Sequence, residues 1–219
     1  MQEYTRYEVA ARFFADCSGD GILRLSGADF MMGRESRDEF GEPDACDEHD
    51  SYTMGNSIIF QLRKCNRHSP FRAPEWAYHY TDQTIPARPL ELERNNFWWI
   101  ELGGTKNTIR DSDNIRDELY KVAYGVWEYL KNHSDGRARN YELAWIGALP
   151  GKRESIRFIG EHVLTQNDIA EESTGTFQDA IARGEWGMDD HHPEGVNYPG
   201  WPNRNSVSYT HLRAHETVL

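Results

Sequence analysis

Apolar positions change period several times along the chain, and each change marks an element. Val9-Ala10-Ala11-Arg12-Phe13-Phe14-Ala15-Asp16-Cys17 is a short apolar run that breaks at Ser18-Gly19-Asp20-Gly21. Its length and glycine-bounded end predict a strand buried on both faces, as in a parallel sheet. Ile22 to Ala28 then reads as one or two helical turns stopped near Gly27, so the unit is strand, tight turn, helix. Ser57 to Arg63 and Phe97 to Leu102 are rich in β-branched and aromatic residues and predict two strands, the second ended by Gly103-Gly104. Ile115, Leu119, Val122, Val126 and Tyr129 recur at spacings of four, three, four and three, which marks one buried stripe of a helix. Asp111, Ser112 and Asp113 offer its caps and acidic first turn, and it ends by Gly136. Tyr141 to Leu149 leads through Pro150-Gly151 into Lys152 to Gly160. Short helices are expected from Thr165, with Asp168 completing a cap, and from Thr176, with Phe177 and Ile181 apolar and Gly184 at the stop.

Between these elements lie two unusual connections. Glu35 to Asp50 holds eight acidic residues and one Arg, together with Gly41 and Pro43, and predicts an exposed, mobile loop. Asp44, Asp47, Glu48 and Asp50 do not follow the spacing of a calcium loop, so solvation rather than a metal is expected there. Pro70, Pro74, Pro86 and Pro89 keep about thirty residues out of regular structure, a length that signals a lid or a covering segment. Trp76, Tyr78 and Tyr80 fall within it. Successive strand residues point oppositely, so Trp98 and Trp99 are expected to divide between core and ligand face.

Composition narrows the function classes. The 219 residues are 38% hydrophobic and 27% charged, enough for one large or two small domains around a real core. A formal charge of -12 argues against a phosphate-backbone partner, so no nucleic acid is expected. No run reaches the roughly eighteen apolar residues of a membrane helix, and no signal-peptide pattern opens the chain. A cytoplasmic location is favoured on that basis, unless an export signal lies in sequence upstream. Cys17, Cys46 and Cys65 are odd in number and form no Cys-x-x-Cys pair, so each reads as an ordinary buried or half-buried thiol.

The turn Cys17-Ser18-Gly19-Asp20-Gly21 has a physical reason to hold a cofactor. Glycines allow close backbone approach, the following helix start presents free N–H groups, and Asp20 can accept hydroxyl protons. On the local pattern alone an ordinary turn is the other reading. Several separated segments together resemble the bacterial-type family of FAD-dependent oxidoreductases with a two-part flavin-binding domain. Phe13 to Gly21 resembles that family's strand and Ala/Cys-Thr-Gly-Asp-Gly turn, and Gly27 to Ser36 its Ala-Gly-Ala and Gly-Arg-Glu signature. Gly151 to Gly160 and Leu164 to Asp168 resemble its Gly-x-Arg-Glu-Ser/Thr-x-Arg-x-x-Gly and Leu-Thr-x-x-Asp segments. Met188-Asp189-Asp190-His191-His192-Pro193 resembles its Ile-Asp-x-His segment.

The resemblance covers residues 9 to 200 and implies an α/β fold with an α+β substrate lobe: part of a Rossmann-like FAD-binding domain with an inserted mixed-sheet substrate domain. Residues 1–34 would be a partial FAD lobe and 35–205 the substrate domain with its return toward that lobe. Residues 206–219 lack continuity with what precedes them and resemble the adapter read-through of some metagenomic reading frames; a terminal helix is the alternative. The implied cofactor is FAD, contacted by Cys17, Ser18, Gly19, Asp20 and Gly21, and the implied reaction is hydride transfer between flavin and a small organic substrate. Ser18 replaces the family's Thr, the chain contains no Gly-x-Gly-x-x-Gly, and the later segment that returns to the flavin ring is absent. The chain therefore reads as an internal fragment, inactive alone, whose parent supplies the other flavin-binding segments. Candidate catalytic residues are Arg153 and Arg157, which could clamp a carboxylate or form structural ion pairs with Glu154, Glu161 or the acidic loop, and His191 as a proton-handling group. Neighbouring His191 and His192 rarely ligate one ion together, and no metal is expected. Rival readings are a non-catalytic carbohydrate- or ligand-binding module and an inactive remnant.

Overall fold

The computed structural model describes residues 5–88, 90–94, 96–153, 155–160, 163, 165–166 and 191–200. The expected helices after Thr165 and Thr176, Glu154 and Glu161, Met188 to Asp190 and the 206–219 tail lie outside the described residues.

Strand β2 (Asn56–Lys64) alternates buried and exposed positions along most of its length, as one apolar face of a pleated strand requires. It is central in an antiparallel sheet of order β3-β2-β4, with β3 (Asn96–Leu102) and β4 (Tyr141–Ile146) at its sides. Ile58 pairs with Ile100, but Phe60 pairs with Phe97, so Trp98 and Trp99 together face the single residue Ile59. This bulge resets the alternation of β3 and turns both Phe97 and Ile100 into the core. Phe97 stacks on Phe60 with ring centroids 4.5 Å apart. Trp99 packs against the core and Trp98 is exposed.

Helix α2 (Ser112–Asn132) covers one face of the sheet with Ile115, Leu119, Val122, Val126, Trp127 and Leu130, all buried. Four of the five residues of the sequence stripe are among these or adjoin them, and Tyr129 packs at the edge. Asp111 occupies the N-cap position but its side chain makes no capping bond; it accepts instead from the Asn107 N–H at 3.3 Å. The proline-rich segment lies over the far side of α2. Its Ala73 N–H and His79 ring both meet Glu128, at 2.9 and 3.1 Å, and Phe71, Tyr80 and Ile85 pack on the core. It is a covering segment, and α2 is consequently buried from two sides.

Lys131 closes this unit. Its buried ammonium donates to the carbonyls of Ala138 and Arg139, at 2.9 and 3.0 Å, and to that of Tyr141, and it sits over the Trp127 ring. Three carbonyls of the connection into β4 thus converge on one donor.

A second, smaller sheet is a ribbon of β1 (Phe30–Met32) and β5 (Ile156–Phe158), antiparallel, with Met31 opposite Arg157. Before it, Leu23–Ser26 forms a 3-10 turn stopped at Gly27 in the left-handed conformation, where the sequence placed its helix stop.

Two expectations need correction. Residues 9–17 form no strand: Val9, Phe13 and Phe14 are 72%, 77% and 67% exposed. No strand edge among the described residues lies beside them, and an apolar run with no ladder to join stays extended and uncovered. Cys17 is likewise exposed, not buried. The acidic stretch 35–50 is not a solvated loop. It contains the short helix α1 (Arg37–Phe40), it bridges back on itself at Arg34–Asp50 and Ser36–Cys46, and it buries Glu35, Glu42 and Ala45. Its carboxylates tolerate this because cations and N–H groups from distant segments meet them.

Lys131→Met is expected to lower the unfolding free energy by about 1–3 kcal/mol, since it removes the ammonium shared by the Ala138, Arg139 and Tyr141 carbonyls and leaves the first two with only the backbone N–H groups of Tyr141 and Ser69. Lys64→Met, at the exposed end of β2, is expected to change it by less than about 0.5 kcal/mol. Urea melts of the two variants compare them directly.

Candidate functional site

The glycine turn is built by carboxylates. Gly19 and Gly21 take positive φ, 81° and 78°, as the tight turn demands. Asp16 accepts from the Ser18 N–H at 2.9 Å and its hydroxyl at 2.6 Å through one oxygen, and from the Leu23 N–H at 3.0 Å through the other. Those bonds, led by the Ser18 hydroxyl, pull the Asp16 carboxyl down to about 2. Ser18 Oγ also accepts from the Ile22 N–H at 3.1 Å, so its hydroxyl is committed to the turn itself.

Asp20 points the other way. Its Oδ1 accepts from the Ser155 N–H at 3.2 Å and from the Ser155 hydroxyl, which ties the turn to the residue before β5. Its Oδ2 is buried and has no hydrogen-bond partner among the described residues. A shielded carboxylate oxygen with no donor is costly, so a donor from outside the described residues fits that position. With Asp16 close by in sequence and also a carboxylate, the turn suits a hydroxyl rather than a phosphate.

From the turn, the β1/β5 ribbon leads to a second constellation. Arg157, 6% exposed, pairs with Glu35, 4% exposed, at 2.8 Å and donates to the Gly33 carbonyl. It is therefore the structural ion pair with the acidic loop, one of the two alternatives for this residue. Gly33, at φ 97°, lies where any Cβ would come within 2.1 Å of the Asp50 carbonyl oxygen. This close approach lets Arg34 and Asp50 exchange backbone bonds at 3.0 and 3.1 Å while the Arg34 guanidinium holds the Asp50 carboxylate with two nitrogens. The same guanidinium lies over the Tyr52 ring, 5.4 Å from its centroid. Arg34 lowers the Asp50 pKa by hydrogen bonding, against the upward push of burial.

The two histidines face different surroundings. His191 Nδ1 lies 2.8 Å from Glu101 Oε2, with both side chains nearly buried, and its Nε2 lies 3.4 Å from Arg153. Among the described residues Arg153 meets His191 while Arg157 meets Glu35 and Gly33, so the two guanidinium groups are not brought onto one partner. His192 instead stacks on Tyr198, centroids 3.8 Å apart and planes 11° from parallel. Its Nδ1 accepts the Glu194 N–H at 3.2 Å, which leaves the proton of the neutral ring on Nε2. Burial lowers the His192 pKa, opposed by Glu194 and assisted by Arg34 and Arg88, so the ring is neutral at pH 7.

His192 lines a cleft of about 710 Å³ together with Arg34, Arg37, Asp44, Tyr52 and Thr105. Gln166 fixes one wall: its side chain bonds the Asp44 carboxylate and accepts the Asp44 N–H at 3.2 Å, and its own N–H donates to Glu42 at 2.8 Å. Sequence reasoning did not reach Arg34, Asp50, Tyr52 or Gln166 as site residues. The adjacent Gly33-Arg34-Glu35 signature was the available signal.

The model of the family described as FAD dependent oxidoreductase matches residues 1–215. The chain belongs to this family. It is accordingly a chain of the FAD-dependent oxidoreductases, with FAD as the family's cofactor. No curated protein and no solved structure matches it.

In this FAD-dependent oxidoreductase the Asp16 clamp carries a pH signature. The folded carboxyl titrates near 2 against an ordinary value of 3.8, so its contribution is complete above the ordinary value and is lost as pH falls through about 2. Amide NMR between those pH values is expected to show the Ser18 and Leu23 resonances moving together as the clamp releases. In Asp16→Asn they are expected to stay constant over the same range; equal movement in both proteins contradicts the assignment.

Proposed function

We propose that this chain forms part of a flavoenzyme that moves a hydride between FAD and an organic substrate, and that Cys17 to Gly21 meets the cofactor's ribityl or ribose hydroxyls through Asp20. The observation that carries this reading is the buried Oδ2 of Asp20, without a hydrogen-bond partner among the described residues, beside two glycines in the left-handed conformation. When bound, FAD supplies the redox chemistry, and the protein's part is to hold and orient it. Ser155 orients the Asp20 carboxylate by two bonds to its other oxygen. Residues 1–34 would form the flavin-side lobe and residues 35–205 the substrate side with its return toward that lobe. The exposed Val9, Phe13 and Phe14 support this division, because an uncovered apolar run of that kind suits contact with another surface. The 219 residues contain no Gly-x-Gly-x-x-Gly, so the pyrophosphate contacts would come from another segment of the parent chain.

Arg153, Arg157 and His191 would then act by positioning. Arg157 sets the backbone of Gly33 to Glu35, and His191, between Glu101 and Arg153, sets the segment that carries His192.

Asp20→Asn keeps the shape and removes the charge. In the apoprotein of the full reading frame it is expected to weaken FAD binding about ten- to a hundredfold by fluorescence titration, the equivalent of roughly 1.5–3 kcal/mol for a charge-assisted bond. An affinity within about twofold of the unaltered protein, well under the tenfold of 1.4 kcal/mol, leaves Asp20 a turn residue only.

A further inference from the structure

The cleft at His192 has a lining whose charges nearly cancel. Arg34 and Arg37 face Asp44, Asp47 and Glu194, and the imidazole of His192 is neutral at pH 7. A polyanion entering this cleft meets three carboxylates, and a polycation meets two guanidinium groups. An apolar ligand would strip water from all of them and return no hydrogen bonds. A ligand dense in hydroxyls can donate to the carboxylates and accept from the guanidinium and imidazole N–H groups, because each hydroxyl does both. The volume, about 710 Å³, lies within the span usual for small-molecule sites.

The polar groups are also held in place before any ligand arrives. Arg34 is fixed by Asp50 and Tyr52, Asp44 by Gln166, and His192 by the Tyr198 ring and the Glu194 N–H. Arg37 is held more loosely: its bond to Asp47, 2.9 Å, joins two exposed side chains and exchanges readily with solvent or ligand. With Nδ1 of His192 occupied, Nε2–H is the donor left to meet an oxygen in the cleft. Such prior ordering lowers the entropy lost on binding and favours a specific ligand over loose surface adsorption.

We infer that this cleft is the substrate site of the flavoenzyme and that it takes a neutral, polyhydroxylated compound, a mono- or disaccharide, with His192 Nε2 and Arg37 donating to its oxygens. The inference rests on the hydride-transfer reading for the word substrate, while binding itself is independent of the flavin. The ribbon of β1 and β5 connects the two sites, since Ser155 holds Asp20 at one end and Arg157 holds Gly33 to Glu35 at the other.

The test is ligand-observed NMR and calorimetry on the full chain without flavin, using D-glucose and cellobiose as neutral probes and D-glucuronate and D-glucosamine as charged ones. A neutral probe is expected to bind at least about fivefold more tightly than either charged one. His192→Ala and Arg37→Ala are each expected to weaken it about tenfold, the loss of one charge-assisted or well-placed hydrogen bond, with the melting temperature unchanged. Trp98→Ala, on the exposed side of β3, is expected to leave binding as it was, as is Asp20→Asn. Absence of binding by any of the four probes, preference for a charged probe, or binding lost in Trp98→Ala and retained in His192→Ala would overturn the assignment. Because Asp20→Asn reports on FAD and His192→Ala on the saccharide, either reading can fail while the other stands.

Discussion

The buried pair of Arg157 and Glu35 is the contact on which both candidate sites depend. Neither side chain is more than 6% exposed, so each charge has given up its water and relies on the other. Removing one partner of such a pair strands the other, a loss of about 3–5 kcal/mol in comparable cases. Here the consequence is directional as well as energetic. Arg157 also holds the Gly33 carbonyl, and from Gly33 the chain turns directly into Arg34. The cation that closes over Asp50 and Tyr52 is therefore aimed through a contact between residues 124 positions apart in sequence. Ser155, two residues earlier on the same strand approach, holds Asp20. A three-residue strand with little area of its own thus fixes the spacing between a glycine turn and a polar cleft.

The larger sheet and α2 act as a footing for the other wall. The bulge at Trp98 and Trp99 lets Phe97 and Ile100 both enter the core, and beyond it Glu101 is carried inward, buried at 5% exposure. A buried carboxylate there needs a donor, and His191 supplies it. Gly195 follows closely: a Cβ on it would lie 2.0 Å from the Glu101 carbonyl oxygen, so the 191–197 segment lies flat against the end of β3. The irregularity of one strand is in this way converted into the placement of two histidines, one locked and one facing the cleft.

How much of this could be read from the sequence follows from the range of the interactions. The stripe of Ile115, Leu119, Val122 and Val126 and the β-branched and aromatic enrichment of Ser57 to Arg63 are local patterns that need no knowledge of the partner. The positive φ at Gly19 and Gly21 is local too. Glu35 and Glu42 were opaque for the opposite reason. Eight acidic residues in sixteen positions describe a solvated loop unless distant donors are known, and those donors are Arg157 and Gln166, each more than 120 positions away. The run Val9 to Cys17 failed in the converse sense. Its pattern states what the segment needs, a ladder and apolar cover, and the described residues contain neither.

The same logic separates His191 from His192, which no periodicity could do. Adjacent residues in an irregular segment share composition and diverge in surroundings. His191 lies between a carboxylate and a guanidinium, so both of its nitrogens are engaged and its role is to hold the backbone. His192 is backed by an aromatic ring and a backbone N–H, which restrain its orientation while leaving one nitrogen to meet a ligand. Burial without a close carboxylate bond keeps that ring neutral, and a neutral ring with Nδ1 committed is a hydrogen-bond donor at Nε2. The chemistry available at the cleft is therefore decided by one backbone amide, that of Glu194, since an acceptor in its place would reverse the tautomer and present a lone pair instead.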